Sequence, residues 1–162
     1  MSALRPIQLR VQRSRKHTKN MKLQKVLWRA LFAVFFILLL QGVRGLLTGA
    51  SSFVVCNAAG SWSLAIPSTL LMVFGVIFLL GAFFFGLQSG NQQESLGWLL
   101  IFSGGASNLW ERFIFGCVTD YISLFFFPTF NGADILITVG VLCILFASLG
   151  VKFVTRNNIL NT

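Results

Sequence analysis

Four long apolar runs dominate this 162-residue chain, at about 26–47, 66–87, 96–115 and 133–153. Each is close to the roughly 20 helical residues that cross the hydrocarbon core of a bilayer. With 56% hydrophobic and only 10% charged residues, a water-soluble domain of this size could not hide its apolar surface. The expected fold is an all-α membrane protein: one four-helix transmembrane bundle, with a small outward-facing strand or flap region and a short interfacial segment. Pro67 opens the second run, and proline is tolerated in a first helical turn. Residues 88–95 read as a polar turn between the second and third runs.

The cations set the orientation. Nine of the thirteen Lys and Arg residues lie between Arg5 and Arg29, directly before the first apolar run. A basic block also suits nucleic acid, but this placement matches the excess of positive charge on the cytoplasmic side of membrane proteins, with contact to anionic lipid. No nucleic-acid partner is expected. The first run continues past Arg44 to Leu47 without a small-x-small cleavage site, so it reads as a retained anchor. The chain thus divides into a basic cytoplasmic tail at 1–25, a membrane domain at 26–156 and a short cytoplasmic tail at 157–162. Lys152 and Arg156 agree with a cytoplasmic carboxyl end. Segments 48–65 and 116–130 then face outward, bringing Asn57, Arg112, Asp120 and Asp134 near one surface. The first of these segments, with Phe53-Val54-Val55, reads as a short strand or flap. The run 122–127 is too short to span and too oily to be solvated, so it belongs at the interface.

Only two aspartates occur, Asp120 and Asp134, with thirteen residues between them, at the ends of apolar runs. Carboxylates at membrane depth are costly and mark function by default. Two of them delivered to one spot divide acid and base roles, one protonated and one ionised. Neither a metal nor another cofactor is called for. The cysteines Cys56, Cys117 and Cys143 lack metal-ligand spacing. Cys143 reads as a packing residue; Cys56 and Cys117, both on the outer side, are open to either packing or pairing.

The stretch from Gly104 to Gly140 resembles the signature region of lipoprotein signal peptidase, the bacterial signal peptidase II family. The first signature, Asn-x-x-Asp-Arg followed by Gly and Val-Val-Asp, stands here as Asn108-Leu-Trp-Glu111-Arg112, Gly116 and Val118-Thr-Asp120. The second, Phe-Asn-x-Ala-Asp, is Phe130-Asn131-Gly-Ala133-Asp134. A looser block, Asn57-Ala-Ala-Gly-Ser-Trp62, matches the family's first outer segment in part. The first helix keeps Gln41 and has Arg44 where the family has Lys, but lacks the family's Asp; Glu111 replaces the acid of the first signature, and the stretch between the aspartates is short.

The resemblance implies a divergent membrane aspartyl endopeptidase that cuts lipid-modified prolipoproteins just before the diacylglyceryl-cysteine. Its catalytic pair would be Asp120 and Asp134. Asn57, Asn108, Arg112 and Asn131 are substrate-binding candidates, with Gln41, Arg44, Glu111, Gly116 and Ala133 in support. Arg112 can pair with Glu111 or meet the substrate, Asn108 can clamp the substrate or a dyad carboxylate, and Asn131 can cap the helix that carries Asp134. Arg44 either faces the bundle or snorkels to the surface. The implied setting is the bacterial inner membrane, with both termini cytoplasmic, the site near the outer face, and prolipoproteins and membrane lipids as partners of a monomer. The alternative is an impaired relative that binds lipidated or helical segments without turnover, favoured by the missing first-helix acid and by Glu111. Proton or cation transport would need a polar stripe through the full depth, which the second and fourth runs lack.

Overall fold

The computed structural model describes residues 4–50, 54–58 and 67–151. Trp62, Lys152, Arg156, the 157–162 tail and parts of the 48–65 segment lie outside them. Four helices and four short strands follow in the order α1 (Leu4–Ala50), β1 (Val55–Asn57), α2 (Ser68–Gln88), α3 (Gln92–Phe115), β2 (Val118–Asp120), β3 (Ile122–Leu124), β4 (Phe127–Phe130) and α4 (Gly132–Ser148). The chain divides into two compact units, residues 1–32 and 33–162.

The first unit is helical from Leu4. The basic tail and the first apolar run therefore belong to one helix of 47 residues. Lys, Arg, Gln and Leu are good helix formers, and the single proline in this stretch, Pro6, falls in the first turn where its missing N–H is harmless.

In the second unit, α3 lies against both α2 and α4. Its small residues permit this. A Cβ on Gly104 would stand 2.5 Å from the Ala133 carbonyl oxygen, and one on Gly97 would stand 2.6 Å from that of Gly140. The backbones of α3 and α4 thus touch where glycine removes the side chain, as small residues allow between membrane helices. On the other flank, Phe85 stacks on Trp98 at 5.4 Å and Phe83 tilts against Phe102 at 5.2 Å. Outward-facing residues of α2 such as Phe74, Ile77, Leu80 and Phe84 are exposed. Two helical stretches, Leu23–Gly49 and Thr69–Gln88, are long and apolar enough to cross a membrane.

Several boundaries differ from the sequence reading. Pro67 is the N-cap of α2 and not its first helical residue. The polar turn shrinks because Asn91 caps α3, accepting from the Gln93 N–H at 2.9 Å, so Gln92 to Ser95 are already helical. Helix α4 ends at Ser148 and has 17 residues. The interfacial run at 122–127 becomes an antiparallel hairpin, β3 with β4, pairing Ile122 with Phe130 and Leu124 with Phe127. The outer segment contributes β1, which pairs antiparallel with β2 in the register Val55↔Asp120, Cys56↔Thr119 and Asn57↔Val118. Cys56 and Cys117, left open by the sequence, form a disulfide, while Cys143 is free and buried.

Candidate active site

Helix α3 stops at Gly116, whose φ of 75° is left-handed and whose N–H bonds the Arg112 carbonyl. This glycine cap reverses the chain and sends β2 back across the helix end. All of β2 is buried, Asp120 with only 3% exposure. The second aspartate arrives from the opposite direction. Asn131 caps α4 by accepting from the Ala133 N–H at 2.7 Å and the Asp134 N–H at 3.1 Å, and the Asp134 carboxylate accepts from the Asn131 N–H at 3.2 Å. This reciprocal capping box fixes the first turn of the helix and the acid within it.

The two acids meet through Asn131. Its side-chain amide donates to Asp120 Oδ1 at 3.0 Å and to Asn108 Oδ1 at 3.2 Å. Asn108 in turn donates to Asp134 Oδ1 at 2.9 Å. Asn131, Asn108 and Asp134 thus form a closed circuit of hydrogen bonds, and Asp120 joins it as a branch through the Asn131 amide. The remaining Asp120 oxygen accepts from Asn57 Nδ2 at 3.0 Å. Asn57 therefore reaches Asp120, where the sequence reading expected a contact with substrate backbone. Burial pushes the Asp120 carboxyl above the ordinary carboxylate range; the amides of Asn57 and Asn131 oppose that rise, the charge of Asp134 adds to it and Arg112 offsets it.

A second polar cluster lies behind the first. Glu111, 4% exposed, accepts from the Thr119 N–H at 2.8 Å and pairs with Arg44 Nε at 3.3 Å. Arg44 Nε also donates to Thr119 Oγ1 at 2.9 Å, and its guanidinium lies 3.9 Å from the centre of the Phe115 ring. Gln41 donates to Ser107 Oγ at 3.0 Å and to Glu111 at 3.5 Å. Arg44 thus faces inward, and Glu111 takes Arg44 rather than Arg112 as its ion-pair partner. Together, α1 and α3 grip Thr119, the residue next to Asp120.

Asp120 and Asp134 line one cavity of about 970 Å³, together with Asn57, Asn108 and Arg112. Leu79, Leu109 and Ile135 supply apolar wall. Arg112 Nε is buried and has no hydrogen-bond partner among the described residues. Chemically, this is a pair of carboxyl groups oriented by amides beside a cation, open to a space with both polar and oily walls. Among the described residues no cluster of His, Cys, Asp and Glu could hold a metal ion. The sequence reading missed Tyr121, whose hydroxyl accepts from the Gly132 N–H at 2.9 Å and steadies the start of α4. It also missed Thr119 and Ser107, whose partners lie more than sixty residues away in the chain.

Comparison with known proteins supplies the context. A family model described as signal peptidase (SPase) II matches residues 17–150. A lipoprotein signal peptidase of Gloeobacter violaceus is 45% identical over 58 residues, covering 35% of this chain and 34% of that protein. A lipoprotein signal peptidase of Clostridium novyi is 34% identical over 86 residues, covering 50% and 55%. The chain spans from about a third to about half the length of the curated relatives it matches. A solved chain described as a bacterial membrane enzyme structure, by the in meso method at 2.3 Å resolution, is similar with a TM-score of 0.69 at 22% identity, covering 79% of this chain and 94% of that one. That likeness concerns the fold.

Proposed function

The chain belongs to the signal peptidase II family, and from that premise we propose that it is a membrane aspartyl endopeptidase cutting lipid-modified prolipoproteins before the diacylglyceryl-cysteine. The observation that carries this reading is Asn131, which holds Asp120 with its side chain and Asp134 with its backbone N–H on the wall of one cavity.

In the proposed reaction Asp134 is the base and Asp120 the acid. Asp134 sits at the amino end of α4, where it accepts from the Asn108 side-chain amide and the Asn131 backbone N–H. Asp120 is more deeply buried, and that burial raises its carboxyl above its ordinary value, which suits the proton-donating part. Asp134 takes a proton from water as the oxygen attacks the scissile carbonyl carbon. Asp120 hydrogen-bonds the carbonyl oxygen, then gives its proton to the leaving amine as the C–N bond breaks. Arg112 lines the cavity, and its guanidinium, whose Nε is buried without a partner among the described residues, suits a substrate carbonyl. The apolar walls suit acyl chains, and one chain supplies every group named, so a monomer suffices.

The basic amino-terminal half of α1 favours a cytoplasmic amino end. The disulfide, which follows the first apolar stretch in the chain, favours an oxidising exterior, as expected for a site at the outer face of a bacterial inner membrane. The four helices would then be four crossings with both ends cytoplasmic, lipid covering the exposed residues of α2. The test is incubation of purified protein in vesicles with a diacylglyceryl-modified precursor. Mass analysis should find a new amino terminus at the modified cysteine; binding without any cleavage would overturn the enzymatic reading.

A further inference from the structure

Cys56 and Cys117 take no part in the chemistry proposed above, yet their bond ties β1 to the residue just before β2, the strand that carries Asp120. Strand β1 has three residues and, among the described residues, one strand neighbour, β2. A two-stranded ladder is marginal on its own. Nevertheless β1 presents Asn57, which follows Cys56 directly, to Asp120 Oδ2 at 3.0 Å. The other Asp120 oxygen is held by Asn131 at the start of α4. Asp120 thus has one donor from the packed helices and one from a short strand tied down by sulfur.

We propose that the Cys56–Cys117 disulfide is a positioning element of the active site: it holds Asn57 on Asp120, and the dithiol form of this chain is the less active enzyme. This rests on reading Asp120 as a dyad carboxylate. Cys56 is exposed and Cys117 buried, so an incoming thiolate reaches the Cys56 sulfur. The S–S bond breaks as a bond forms between Cys56 and the incoming sulfur, the electron pair leaving on Cys117; a second thiolate attacks the outer sulfur and departs with it as an external disulfide, and the Cys56 and Cys117 thiolates take protons from water. In the reverse direction a protein or small-molecule disulfide accepts two electrons and two protons from the thiols and becomes a dithiol. Thiol–disulfide exchange is therefore the class of reaction that must act on this chain before it is fully competent.

The experiment compares cleavage of a lipid-modified precursor by the full chain in vesicles, oxidised and after dithiothreitol, with free thiols counted in each sample. Reduction should lower kcat/KM up to about tenfold, the scale of one lost neutral hydrogen bond, and oxidised glutathione should restore it. The variant C56S/C117S should match the reduced enzyme and ignore dithiothreitol. In Asn57→Ala, reduction should cost little more than the substitution has already cost. Hydrogen exchange of residues 54–58 should quicken on reduction while 92–115 stay protected. A fully reduced enzyme that cleaves at the oxidised rate would overturn the proposal, as would an equal loss in Asn57→Ala or unchanged exchange at 54–58. Should no preparation cleave, the proposed function fails, and the exchange measurement still decides whether the crosslink holds β1.

Discussion

Asn131 donates its side-chain amide to Asp120 Oδ1 at 3.0 Å, and the same side chain caps the helix that begins beside Asp134. One residue therefore sets both the fold of the α4 terminus and the alignment of the two acids. Asn131→Ala removes both. Loss of the cap alone should cost about 1 kcal/mol of stability. Cleavage should fall much further, on the order of a hundredfold, as misplaced reacting groups do. Thermal unfolding and kcat/KM measured on the same sample check the two effects separately.

Arg44 and Glu111 should behave as a unit. Either residue changed to Ala leaves a partly buried charge without its partner, at a cost of about 2 kcal/mol. The double variant should lose clearly less than the sum, since neither charge is then stranded. A double-mutant cycle by chemical denaturation measures the coupling. Strict additivity would mean that Thr119 is held by other means.

Gly104 and Gly105 are adjacent but should respond differently to Ala. At Gly104 the new Cβ would meet the Ala133 carbonyl at 2.5 Å, backbone that cannot step aside. At Gly105 it would meet Leu79 Cδ2 at 2.6 Å, the far end of a flexible side chain. Overpacking of the first kind costs roughly 1–3 kcal/mol and moves backbone. Gly104→Ala should therefore lower both stability and cleavage by shifting the start of α4, whereas Gly105→Ala should be mild. Unfolding midpoints of the two variants decide this.

The raised carboxyl of Asp120 makes stability depend on pH in a particular direction. The folded protein binds this proton more tightly than the unfolded chain does, where Asp titrates near about 3.9. The stabilisation is fully present below that value and is lost as pH rises through the higher folded value. The unfolding temperature of the wild type should thus decline over the window just above pH 4. In Asp120→Asn that decline should be absent. An identical pH profile in both proteins would show that the Asp120 proton is not held by the fold.

Much of this arrangement was legible in the chain itself. The apolar runs announced the helices, and the two lone aspartates, Asn108 and Asn131 stand out in oily surroundings and are brought together by the fold. The joining of the basic tail to the first helix was less visible, since basic residues form helix as readily as they form a solvated tail. The short strand at β1 was legible in Phe53-Val54-Val55, but its partner was not. Val55 pairs with Asp120 and Cys56 bonds Cys117, partners more than sixty residues apart with no local pattern to betray them. The same holds for Arg44, whose inward turn depends on Glu111 and Thr119 across the bundle.

Single-turnover cleavage of a diacylglyceryl-modified precursor by Asp120→Asn and by Asp134→Asn, each in vesicles with precursor binding measured in parallel, bears most directly on the dyad. Each substitution should reduce the rate by about ten-thousandfold or more, the scale on which paired catalytic groups fail, while binding persists. Cleavage at near the wild-type rate by either variant would contradict a mechanism in which the two carboxyl groups share the work.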